Sequence, residues 1–201
     1  MRPDCGVFTE RMVRMKKTLV ISLLAIMVLL GQVSCGRDKS SLDKQYRALE
    51  NVATELSGKY RGLDKIQREL MPAVKHDRKV QEEKYIDTSE VIFSHTPLMT
   101  AWDKIDTLKM SIGHTQELVG TTKQVEEEHQ LAFCRKRIKG LESLKTQSET
   151  ALGFLKPSDP KNPNPYVLQQ LKKAKEIMSS LPALCDHAIE IYQEAMKILE
   201  R

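Results

Sequence analysis

Residues 167–199 read VLQQLKKAKEIMSSLPALCDHAIEIYQEAMKIL. Val167, Leu171, Ala174, Met178, Leu181, Cys185, Ala188, Tyr192, Ala195 and Leu199 follow one another at alternating steps of four and three. That is the spacing of side chains along one face of an α-helix, so the stretch predicts a long amphipathic helix buried on one side. Pro182 falls inside the run and predicts a kink there. Immediately upstream, residues 156–165 read KPSDPKNPNP, with four prolines, which predicts a turn or stiff linker rather than an element.

Working outward, residues 122–156 repeat the helical spacing at Leu131, Cys134, Ile138, Leu141, Leu152 and Leu155, with Lys145 and Ser148 as imperfect members. Gly120 marks a break before them, and Thr121 with Gln124 has the spacing of a capping box. Leu98, Trp102, Ile105, Ile112 and Val119 form a further apolar face, with Thr96-Pro97 in front of it as N-cap and first helical residue. Whether residues 97–156 make one helix or two is left open by the pattern. Further upstream Leu42, Leu49, Leu56, Leu63 and Leu70 fall seven apart, with Tyr46, Ala53 and Tyr60 between them. This predicts a helix over Ser40–Leu70 with a heptad stripe, ended by Met71-Pro72 because the residue before a proline resists the helical region. Residues 73–95 carry charges and no clean stripe, and read as an exposed helix. The expected fold is all-α: an antiparallel bundle of four or five long helices with coiled-coil-like heptad stripes, occupying residues 42–201.

Composition agrees. Among 201 residues 40% are hydrophobic, but only 5% are aromatic, so Leu, Ile, Val, Met and Ala supply the apolar mass. The net charge is +5, yet residues 1–34 hold five of the basic residues and two of the acidic ones. The remainder is nearly neutral, which leaves no electrostatic case for nucleic acid as a partner.

The basic excess belongs to a leader. Met15-Lys16-Lys17 is a short positive start, Thr18–Leu30 is an apolar run of 13 residues, and Gly31-Gln32-Val33-Ser34-Cys35 is a mostly small-residue exit. These are the three parts of a secretory signal, and the run is shorter than the roughly 17–25 residues a transmembrane helix needs. Met1 and Met15 are both possible starts. Around Cys35 the segment resembles a bacterial lipoprotein signal peptide, with Ser34 as the small residue before the cysteine and Gln32 where the family usually has Leu, Val or Ile. The resemblance covers residues 15–36. It implies that residues 1–34 are removed, that Cys35 becomes the first mature residue and carries lipid, and that residues 35–41 form an anchored linker. Gly36 after the cysteine implies that outer-membrane sorting is permitted in a Gram-negative cell.

Cys5 leaves with such a leader, and lipid occupies Cys35. Cys134 and Cys185 remain. In a helical hairpin centred near residue 160 they lie at one height on facing apolar stripes, which predicts a disulfide in an oxidising compartment. The alternative is two small buried hydrophobes of matching height.

Chemistry is otherwise sparse. No phosphate-binding glycine loop or HExxH pair occurs. Glu126-Glu127-Glu128-His129 reads as a solvated helix face rather than a metal site, and Cys185-Asp186-His187 as helical neighbours that diverge. Arg135-Lys136-Arg137 with Lys139 reads as a solvated basic face. No catalytic, cofactor-binding or metal residue is assigned, and an enzyme is not expected. The expected function is an exported, lipid-anchored helical protein of the cell envelope, held to a membrane through Cys35 and acting as an interaction or structural module through a protein partner or self-association. The alternative is a carrier that encloses an apolar ligand, with Trp102 and methionines lining its cavity.

Overall fold

In the computed structural model, residues 39–85 and 96–200 are described here, without the side chains of Lys84, Tyr85 and Glu127. The expected leader (1–34), the expected lipidation site Cys35 and the segment around Ile86, Val91 and His95 lie outside the described residues. Among the described residues four helices form: α1 (Lys39–Tyr85), α2 (Pro97–Gly120), α3 (Glu127–Leu152) and α4 (Pro165–Leu199), with a short 3-10 turn at Thr122–Gln124. Among the described residues none of these helices is long and apolar enough to cross a membrane.

Cross-helix pairs establish the topology. Moving along α2, Trp102 meets Gln67, Lys109 meets Asp64, Gly113 lies against Tyr60 and Gly120 against Ala53, so α1 and α2 are antiparallel. Ser111 bonds Gln147 at 2.7 Å and Lys104 sits over the Phe154 ring, so α2 and α3 are antiparallel as well. Lys145 pairs with Asp186, and Arg135 with Glu200, which makes α3 and α4 antiparallel. Gly62 approaches Ile177, so α4 returns beside α1 and closes an up-down-up-down bundle. The expected all-α antiparallel bundle is the fold, and residues 97–156 hold two helices.

All ten stripe positions of α4 are buried, from Val167 to Leu199. So are Leu49, Leu56, Leu63 and Leu70 of α1, whose heptad stripe is used inside this chain rather than left for a second coil. Tyr192 is fully buried, and its hydroxyl shares a 2.7 Å hydrogen bond with Thr122 that ties the 3-10 turn to α4. Burial pushes that phenol up to about 12.

The ends of the elements depart from expectation at four places. Residues 39–41, assigned to the anchored linker, already belong to α1. That helix does not stop at Pro72 but continues to Tyr85. An interior proline costs roughly 3 kcal/mol, and here tertiary contacts outweigh it: Val74 is buried, and Asp77 accepts hydrogen bonds from the Thr96 and Ser158 hydroxyls. Thr121 forms no capping box; its hydroxyl donates back to the Glu117 and Leu118 carbonyls, and α3 begins only at Glu127. The prolyl turn is Gly153–Asn164, because Pro165 is already the first residue of α4, with the Asn164 side chain accepting from the Tyr166 and Val167 amides. The expected cap at Thr96 is present: its hydroxyl accepts from the Met99 amide at 3.2 Å.

Two substitutions two residues apart in α1 have opposite signs. Leu56 is fully buried, and Leu56→Ala should destabilise by about 3–5 kcal/mol. A Cβ added at exposed Gly58 meets nothing, so Gly58→Ala should stabilise by roughly 1 kcal/mol. Urea unfolding followed by helical circular dichroism reads both.

Candidate functional site

The largest opening described is a cavity of about 650 Å³ at the end of the bundle where α1 passes Pro72. Pro72, Ala73, His76 and Asp77 of α1 form one wall, Leu98 the start of α2 another, and the linker with Tyr166 and Val167 the third. The walls are tied together. Asp77 Oδ2 accepts from Thr96 Oγ1 at 2.9 Å and from the Ser158 hydroxyl, so one carboxylate joins α1 to the cap of α2 and to the linker. Asp159 holds the linker turn by accepting from the Lys161 and Asn162 amides at 2.9 and 3.1 Å. The result is a preformed groove, open on one side, with Tyr166 half exposed at its edge.

A second polar group lies between α1 and α2. Lys109 is 9% exposed. Its ammonium contacts Asp64 at 3.3 Å, Asp106 at 3.2 Å and the Gln67 amide oxygen at 2.5 Å. The Gln67 amide nitrogen donates to Asp106 at 2.8 Å, so Gln67 bridges the cation and the anion. Burial alone would lower the Lys109 pKa, but hydrogen bonds and attraction from Asp106 and Asp64 outweigh it and raise it. Asp106 is held below its ordinary value, first by the Gln67 hydrogen bond and then by Lys109. These contacts of Lys109 and Gln67 all serve neighbours in the fold, and the group works as a clamp between helices.

The cysteine expectation needs correction. Cys134 and Cys185 are both buried, but both are free thiols. The hairpin is not symmetric about residue 160. Asp186, next to Cys185, faces Lys145, which lies about eleven residues beyond Cys134, or roughly 16 Å of helix. Arg135, next to Cys134, faces Glu200 near the far end of α4. Even with the reach of these long side chains, the two Cα atoms are not at the 4.4–6.8 Å a disulfide requires. They are two buried apolar positions, and burial pushes each thiol up to about 11.

Other singled-out residues resolve as follows. Glu126 precedes α3 as its N-cap residue, and the carboxylates of Glu126 and Glu128 and the His129 ring come within 4.8 Å of one another. All three are exposed, and His129 makes contacts of 4.0 and 3.3 Å with the two glutamates, as surface charges do. In the basic run, Arg135 pairs with Glu200 and Arg137 packs over the Phe133 ring at 4.1 Å. Trp102 packs against the core with its indole N–H on the Gln67 carbonyl at 3.0 Å, and it does not line the groove. No methionine lines the groove either. Sequence reasoning had Asp77, Ser158 and Asp159 only as solvated residues of a helix and a turn; nothing in their local pattern brings three separate segments together.

Comparison with family models, with curated proteins and with solved structures gives no match.

Two outcomes are expected. In the native protein at pH 8 the thiols stay protonated and covered, so iodoacetamide should leave Cys134 and Cys185 unmodified and label both in denaturant; a reductant should leave the unfolding midpoint unchanged. Lys109→Met should destabilise by about 2–3 kcal/mol at pH 7, because Asp106 loses its cation and the Gln67 amide oxygen its donor, while Asp64 keeps only its pairing with Arg68. The loss should shrink as Asp106, held below its ordinary value, takes up its proton in acid, measured by urea unfolding at pH 7 and at acidic pH.

Proposed function

We propose that this chain is an exported, lipid-anchored helical protein of the bacterial cell envelope that works as a protein-interaction module. The leader and Cys35 support the anchor. The observation that supports the interaction role is the groove beside Pro72: the heptad stripes are consumed in the core, and a surface cleft of about 650 Å³ opens at the end of the bundle. It is open on one side, which suits a segment of another protein better than an enclosed apolar ligand.

The anchor also gives the groove a position. Helix α1 begins four residues after Cys35, and Pro72 lies 33 residues further on. At 1.5 Å per residue that is roughly 50 Å of helix. A lipid on Cys35 therefore holds the Lys39 end close to the membrane and carries the groove out from it as on a short rod.

An intact-mass spectrum of protein from the membrane fraction, taken without reductant, tests the anchor. The expected mass starts at Cys35, includes acyl chains and retains both thiol hydrogens. A mass that keeps residues 15–34, or lacks acyl chains, would sink the anchored reading. For the interaction role, a photo-crosslinking residue in place of Tyr166 should give a discrete adduct in intact envelopes, while one in place of Glu149 should not.

A further inference from the structure

The groove lining is unbalanced in charge. Glu69, Asp77 and Asp159 contribute carboxylates, and no lysine or arginine lines it, although Lys75, Arg78 and Lys79 stand on the same stretch of α1. The groups that bond these carboxylates do not cancel their charge. Asp77 receives two hydroxyls and Asp159 two backbone amides. Among the described residues Glu69 pairs with Lys65 at 3.9 Å, whose side chain is 77% exposed. Beside the carboxylates the lining mixes an apolar, stiff part, Pro72, Ala73, Leu98, Pro157, Pro163 and Val167, with the polar His76, Ser158, Asn162 and Asn164. Proline has little freedom to lose on binding, and the Asp77 contacts already hold the walls together, so little ordering cost remains for the complex. Tyr166, 50% exposed at the rim, offers a ring face to a cation.

We infer that this groove is the docking site for a polypeptide segment of a partner protein that presents an arginine or lysine flanked by apolar residues. The cationic head sits among Glu69, Asp77 and Asp159, and the flanking side chains lie on the proline walls. A segment of polypeptide fits the open side: it enters along the groove, and its remaining chain leaves into solvent. The inference rests on the reading of the chain as an interaction module, and its test involves neither lipid nor membrane, so the two fail separately.

The probe is a pool of terminally blocked octapeptides with flanks randomised among Ala, Leu, Val and Phe. The central residue is fixed in separate pools as Arg, Lys, norleucine or Glu. Full-length protein in detergent is mixed with each pool, and retained peptide is counted by mass spectrometry. The Arg and Lys pools should be retained at least tenfold over norleucine and Glu, with retention falling as salt rises. Glu69→Gln combined with Asp77→Asn should remove that preference. Should Asp77→Asn loosen the linker, seen as a lower thermal midpoint, Glu69→Gln with Asp159→Asn reads the same charge loss while both side chains keep an acceptor oxygen. Ala73→Lys, a helix-compatible change that fills the groove with a cation, should abolish retention at an unchanged midpoint. Equal retention of all four pools, preference for Glu, retention of none, or indifference to these variants overturns the proposal.

Discussion

Helix α4 has to bury one unbroken apolar stripe, and the helix that precedes it is too short to cover it. α4 runs for 35 residues and α3 for 26. The Lys145–Asp186 and Arg135–Glu200 pairs set α3 against the later part of α4. Val167, Leu171 and Ala174 at the start of α4 then need another cover. Gly62 faces Ile177, so in an antiparallel pair Val167 lies level with about residue 72 of α1. That is why α1 continues through Pro72 to Val74 and beyond. Exposing several large apolar side chains costs about 1.5–3 kcal/mol each, more in sum than the hydrogen bond that proline removes.

The same mismatch makes the groove. The chain leaves α3 at Leu152, level with the middle of α4, and has to continue along the bundle in the same direction before α4 begins at Pro165. The linker therefore lies beside α1 instead of turning tightly at one level, and Ser158 reaches Asp77. The cleft is the space between a helix, an extended linker and a helix start, three segments that do not pack flush. The symmetric hairpin that would have brought Cys134 opposite Cys185 is excluded by the same geometry.

Heptad stripes alone tolerate a slide of seven residues, since Leu still meets Leu. The Lys109 group removes that freedom. In the observed alignment the ammonium meets Asp64 and Gln67. A slide by one heptad would place it against Ser57 and Tyr60, or against Met71 and Val74, with no carboxylate from α1 in reach. Only Asp106 of its own helix would remain beside the buried ammonium, with the contacts to Asp64 and Gln67 lost, which is unfavourable, so this polar clamp favours one register, a role buried polar groups are known to fill.

Periodicity made the fold class readable. All ten positions of the 167–199 stripe are buried, and so are Leu49, Leu56, Leu63 and Leu70, because the three-four spacing follows directly from helix geometry and the gain on burial is local to each side chain. The Thr96 cap was legible for a similar reason: it depends on a hydroxyl and an amide three residues apart. Pro72 misled because its cost is local while its compensation, through Val74, Thr96 and Ser158, comes from distant segments. Asp77 was unreadable as part of a site because its partners stand 19 and 81 residues away. By itself, then, the sequence determined that the chain makes long amphipathic helices and which face of each is apolar. The axial alignment of those helices, and with it the free thiols, the Lys109 clamp and the groove, was decided only by tertiary structure, since sliding one stripe along another leaves local spacing untouched and is resolved only when specific side chains meet across the bundle.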